Sequence, residues 1–160
     1  MKKELTEEGM LVRMAGLCAA AEQCAADIRA KILKKGFSAE QADRMLSYLT
    51  AHGYIDDSRY AKALASDKIR FSGWGRMKIR MALKAKGIAD GVVSEALANI
   101  SGEDYTEALE NALAAKALGL ELTDVRDRQR LYRHLASRGF ESSVIIPAIR
   151  RYIAAKHSDT

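Results

Sequence analysis

The segments IRAKILKKGF (28–37), IRMALKAKGI (79–88) and LYRHLASRGF (131–140) fall on one pattern when each is anchored on its glycine. The anchors Gly36, Gly87 and Gly139 lie 51 and 52 residues apart, so the spacing of a duplicated unit is repeated twice. Four and eight residues before each anchor stand Ile32 and Ile28, Leu83 and Ile79, and Leu135 and Leu131, an i, i+4 ladder on one helical face. An apolar residue follows each anchor (Phe37, Ile88, Phe140), and further on come Met45 and Leu46, Ala96 and Leu97, and Ala148 and Ile149. This predicts a helix stopped by glycine at C′, an apolar residue that turns the chain inward, and a second amphipathic helix.

Working outward, a further helix precedes each pair, over Thr6–Gln23, Asp57–Phe71 and Glu103–Leu118. Thr6, Asp56 and Ser101 or Asp104 have the side chains to cap these starts, and Cys24 with Asp27 resembles a weak capping box for the helix that follows it. Short breaks at His52-Gly53, Gly73-Trp74-Gly75, Ser101-Gly102 and Leu118-Gly119 separate the elements, and none is long enough for a flexible tether. One proline, few glycines and an abundance of Ala, Leu, Lys, Arg and Glu favour helix throughout. Pro147, in the first turns of a helix starting near Ser142, is expected to kink it or delay its start. The expected fold is all-α: three tandem three-helix repeats, 1–52, 53–101 and 102–160, stacked into an elongated, curved array.

With 48% hydrophobic and 29% charged residues, the chain folds around a core and is no disordered tail. No apolar run is long enough to cross a bilayer, and the opening MKKELTEEG is acidic where a signal peptide needs its apolar stretch, so the cytoplasm is the expected location. Cys18 and Cys24, six apart with no neighbouring His, fit neither a metal site nor a disulfide framework and read as packing or capping residues. Asp56-Asp57 lacks a partner for acid–base chemistry and reads as a helix cap. His52, His134 and His157 share no spacing and read as surface or turn residues. Neither a GxxxxGK[ST] loop nor a GxGxxG turn after a strand occurs. A non-enzymatic, cofactor-free and metal-free protein is the expectation.

The positive signal is charge. From Lys68 to Lys86 the chain carries Lys68, Arg70, Arg76, Lys78, Arg80, Lys84 and Lys86 without an Asp or Glu, within a net charge of +5. Such a run favours an anionic partner. Arg76, Arg80 and Lys84 step at i, i+4 beside the aliphatic face of Ile79, Ala82 and Leu83, predicting an outward cationic stripe. Met77 and Met81 add apolar surface near Trp74, more than one core face requires, which a neighbouring repeat or a partner would cover. Arg126, Arg130 and Arg133 line the equivalent helix of the third unit, and Arg29, Lys31, Lys34 and Lys35 that of the first. The candidate binding residues are therefore Arg70, Trp74, Arg76, Lys78, Arg80, Lys84 and Lys86, followed by Arg126, Arg130 and Arg133.

The segment GYIDDSRYA (53–61), then Gly75-Arg76 with Ile79, Leu83, Lys86-Gly87-Ile88, and finally Leu135, Arg138-Gly139-Phe140, resembles the RecX family of bacterial recombination regulators. The resemblance covers nearly the whole chain. It implies three tandem three-helix repeats in an elongated, curved molecule and a non-enzymatic role. The implied role is binding RecA filaments on single-stranded DNA along their groove, which inhibits ATPase, strand exchange and filament growth. A monomer is expected. The alternative is a free-standing helical DNA-binding module acting through phosphate contacts alone. The first repeat departs from the family pattern, with Cys24 inside CAAAEQCAAD (18–27) where a basic, serine-capped approach is usual.

Overall fold

The anchor glycines do what their spacing predicts. Gly36, Gly87 and Gly139 adopt φ of 93°, 73° and 98°, a region open to glycine and costly to residues with a Cβ. Each directly follows the C-cap of a helix, and the next residue folds back under it, with Ile88 and Phe140 fully buried and Phe37 half-buried. The computed structural model describes residues 4–159, so Met1–Lys3 and Thr160 of the expected outer repeats lie outside the described residues.

Among the described residues the chain is entirely helical: α1 Glu7–Ala20, α2 Ala25–Lys34, α3 Ala39–Ala51, α4 Asp57–Ser72, α5 Arg76–Ala85, α6 Asp90–Ala98, α7 Gly102–Ala117, α8 Val125–Ser137 and α9 Ser142–Ser158. Helices α1 and α2 pack on α3; α4, α5 and α6 pack on one another, as do α7, α8 and α9; and α4 also packs on α7. The all-α repeat architecture is thus three triplets of helices. None of these helices is long and apolar enough to cross a membrane.

Caps follow the sequence reading with one exception. Thr6 Oγ1 accepts from Gly9 N at 3.0 Å, Asp56 Oδ1 from Arg59 N at 3.1 Å and Ser101 Oγ from Asp104 N at 3.3 Å. The expected Cys24–Asp27 box does not form, because Cys24 makes no side-chain cap bond. Instead Asp57 Oδ1, from the start of α4, accepts from Ala25 N at 3.0 Å. The reciprocal capping box belongs to Ser38 and Gln41 at the start of α3. Helix α1 ends at Ala20, before the expected Gln23, because Ala21 turns extended and the chain must reach across to bury Cys24. Pro147 lies inside α9, which starts at Ser142 without delay; Ser143 and Pro147 are both exposed, so water can serve the carbonyl that the missing N–H leaves free.

The three triplets do not each own a core. Met10, Met14, Ile28, Ile32, Ala42, Met45 and Leu49 of the first unit form one cluster with Ile55 just beyond it. The buried residues of α4 to α9 form a second, continuous cluster around Ile79, Leu83, Leu109, Leu113, Leu131 and Leu135. Among the described residues, Cys24 is the one member of the first unit that enters it. The first unit otherwise reaches the second through polar contacts: Lys86 Nζ to Asp27 at 2.9 Å, Arg59 to Glu22, and Ala25 N to Asp57 Oδ1 at 3.0 Å.

Candidate nucleic-acid interface

The acid-free run spans the end of α4, the turn Gly73–Gly75 and all of α5. Gly73 closes α4 in the left-handed region at φ 62°, and Trp74 follows with its N–H bonded back to Lys68 O at 3.0 Å. This turn sets the half-buried indole between two lysines. Lys68 Nζ stands 4.7 Å and Lys78 Nζ 4.5 Å from the ring centroid, both within the range of a cation–π contact. The tryptophan therefore holds two ammonium groups at one place on the surface. Lys68, which the sequence reading left in the run but did not select, belongs to this group by geometry alone.

One turn into α5 stands Arg80, exposed, and no carboxylate among the described residues pairs with it. Phe71, Met77 and Met81 are 82%, 56% and 73% exposed, so no neighbouring repeat covers the apolar surface expected there.

Arg76 corrects the expected outward stripe. It does not continue the line of Arg80 and Lys84 into solvent but turns toward the third unit, where its guanidinium lies 3.8 Å over the Tyr105 ring and Nη1 donates to Glu141 Oε2 at 3.1 Å. Its backbone N–H donates to Tyr105 Oη at 3.1 Å, and Tyr105 Oη in turn donates to Glu141. Burial first, and the adjoining Glu141 next, push the Tyr105 hydroxyl far above its ordinary pKa. The reason for the inward turn lies next door: Gly75 N donates to Arg138 O at 2.8 Å and Met77 N to Gly139 O at 2.9 Å, so the start of α5 is stitched to the turn between α8 and α9. Tyr105, Glu141 and Gly139 lie 29 to 65 residues from Arg76 and give no local sequence signal.

Several other candidates have partners of their own. Arg70 donates to Asp104 Oδ2 from Nε at 3.2 Å and Nη2 at 3.1 Å, linking α4 to α7. Lys84 meets Asp90 at 3.2 Å, Lys86 meets Asp27 at 2.9 Å and Arg130 meets Asp127 at 3.1 Å. Lys86 is held above its ordinary pKa chiefly by its bond to Asp27. These pairs, apart from that of Arg76, are largely exposed and leave the ammonium and guanidinium groups able to exchange partners. Arg126 and Arg133 on α8 are exposed, and no carboxylate of the described residues pairs with them. At 1.5 Å rise per residue, Arg126 stands about 18 Å and Arg133 about 8 Å of helix from the α5 contact at Arg138.

The remaining carboxylates, histidines and cysteines singled out in the sequence have these places. Asp56 caps α4 and Asp57 caps α2 across the unit boundary. His52 stacks on Tyr48 with ring centroids 3.9 Å apart. His134 is no turn residue: it lies within α8, half-buried, and burial lowers its pKa. Cys24 is buried and its thiol is raised by burial. No group of three potential metal ligands comes together among the described residues.

Comparison with known proteins gives one result. Residues 56–97 match the family model for the second three-helix domain of RecX, and residues 103–149 the model for the third. The chain is 31% identical over 137 residues to the regulatory protein RecX of Prosthecochloris aestuarii, covering 84% of this chain and 87% of that one. It is 30% identical over 148 residues to the regulatory protein RecX of Xanthomonas axonopodis pv. citri, covering 92% and 90%. Among solved structures, RecX from Lactobacillus salivarius shares the fold at a TM-score of 0.80 with 16% identity, over 91% of this chain and 95% of that one. A second crystal structure of a regulatory protein RecX gives a TM-score of 0.78 at 22% identity, over 91% of this chain and 71% of that one.

Proposed function

Because the chain belongs to the RecX family of regulatory proteins, we propose that it binds RecA filaments assembled on single-stranded DNA and restrains the recombinase, lowering ATPase activity, strand exchange and filament extension. In this reading it works in the cytoplasm as a monomeric modulator of recombination and repair, without catalysis of its own. The three units, taken as 1–52, 53–101 and 102–160, lie along the filament.

The observation that carries the reading is the group formed by Lys68, Trp74 and Lys78 beside unpaired Arg80, in a stretch without a carboxylate. Ammonium groups fixed on an indole lose less freedom when they meet phosphates than lysines free in solvent, and the exposed Phe71 and Met81 offer apolar contact to a protein wall next to them. A surface that is both cationic and apolar suits a partner made of nucleic acid and protein together. Arg70, Lys84, Lys86, Arg126, Arg130 and Arg133 supply further phosphate contacts, while Arg76 acts by fixing α5 in place.

The test is charge reversal. Lys68→Glu, Lys78→Glu and Arg80→Glu together are expected to abolish inhibition of RecA ATP hydrolysis on single-stranded DNA while the helical circular dichroism stays unchanged. Undiminished inhibition would remove this face from the mechanism. If the wild-type chain binds bare DNA as tightly as the filament, with the steep salt dependence of pure phosphate contact, the protein is a free-standing DNA-binding module instead.

A further inference from the structure

Away from the basic face, the third unit carries a second surface of different chemistry. The linker from α7 to α8 and the outer side of α9 enclose a cleft of about 550 Å³. Its floor is aliphatic, with Leu122 from the linker and Ile146, Ile149 and Ile153 from α9. On α9 these isoleucines stand at i, i+3 and i+7, the spacing by which one helix receives another. Ile146 remains 43% exposed and Ile153 half-buried, while Ile149 between them belongs to the core and only closes the base of the cleft. The cleft wall is a built feature: Arg128 Nη1 donates to Leu122 O at 2.8 Å and to Thr123 O at 3.2 Å, folding the linker back onto α8.

The rim decides what fits. Arg128, Arg150 and Lys156 border the cleft against a single carboxylate, Glu121. Arg150 is exposed, and no carboxylate among the described residues pairs with it. Nucleic acid would find phosphate contacts here but no Phe, Tyr or Trp among the lining residues on which to stack a base. A cationic rim around an aliphatic floor complements a helix with aliphatic residues along one face and carboxylates beside them. The geometry points to this cleft as the docking site for an acidic amphipathic helix supplied by a partner protein. The site is separate from Lys68, Trp74 and Lys78 and does not depend on what that face binds.

The experiment titrates the full chain into a short fluorescent synthetic peptide carrying Leu and Ile at helical third and fourth positions and Asp and Glu elsewhere, read by anisotropy. Saturable binding that weakens with added salt is expected. Ile146→Glu and Arg150→Glu, both at exposed positions, should each weaken it by about tenfold or more with unchanged circular dichroism, whereas the Lys68, Lys78 and Arg80 reversals should leave it intact. Binding indifferent to Ile146→Glu and Arg150→Glu, or lost with the reversals on α4 and α5, overturns the assignment. So does displacement of the peptide by a thymidine oligonucleotide, which would make the cleft a nucleic-acid surface, or Ile146-dependent self-association in sedimentation, which would make a second copy its occupant.

Discussion

Arg76 shows how one side chain can look like a ligand contact in the sequence and serve as a structural clasp in the fold. Its charge is spent on Glu141 and its planar face on Tyr105. Tyr105 is the centre of this clasp, accepting from the Arg76 backbone and donating to Glu141. Because its folded pKa is raised above the ordinary value of 10.0, the tyrosine's contribution is complete below that pH and is lost as pH rises through the folded value. Tyr105→Phe should therefore lower the urea unfolding free energy by about 1–2 kcal/mol at neutral pH. It should also flatten the decline in stability above pH 10. An alkaline decline of the same depth in both proteins would place the sensitive group elsewhere.

At the scale of elements, the junction of α5 with the α8–α9 turn rests on two glycines whose backbones touch. A Cβ on Gly75 would fall on Gly139 and on the Phe140 nitrogen, far inside contact distance, although Gly75 itself has an ordinary φ of −87°. Gly36, by contrast, needs its φ of 93° but has open space around it. Gly75→Ala should therefore cost more, about 3 kcal/mol or above, than Gly36→Ala, at about 1–2 kcal/mol, in parallel denaturant titrations. Equal losses would mean that backbone contact does not limit this junction. The contrast also marks what could be read in advance. The helix starts at Thr6, Asp56 and Ser101 and the stops at Gly36, Gly87 and Gly139 are local chemistry, and they stand where the sequence puts them. The close approach of Gly75 to Gly139 joins positions 64 residues apart in different repeats, which no local pattern encodes. For the same reason Arg76 reads as one more step of a stripe, and Asp57 as a cap for its own helix when it caps α2. The pairing of Lys68 and Lys78 on Trp74 likewise depends on the angle of the turn at Gly73 and not on spacing.

Across the molecule, equal repeats in the sequence become unequal partners in space. The second and third units share one core, while the first keeps its own and meets them mainly through Lys86–Asp27, Arg59–Glu22 and the Ala25–Asp57 bond. Exposed ionic contacts weaken with salt, but buried apolar surface does not. In native-state hydrogen exchange, amides around Ile32 and Leu49 should open at a free energy about 1–3 kcal/mol below those around Leu83 and Leu135, with the gap widening as salt is added. A single opening energy for all four would show one cooperative block.

The two-core arrangement also bears on the order in which the chain is made. Apart from Cys24, the first unit buries its apolar residues against one another and Ile55, so it can close while the remainder is still being synthesised. The middle unit has no such independence: Ile79 and Leu83 share their core with Leu131 and Leu135, so part of its apolar surface stays wet until the ribosome has delivered α8.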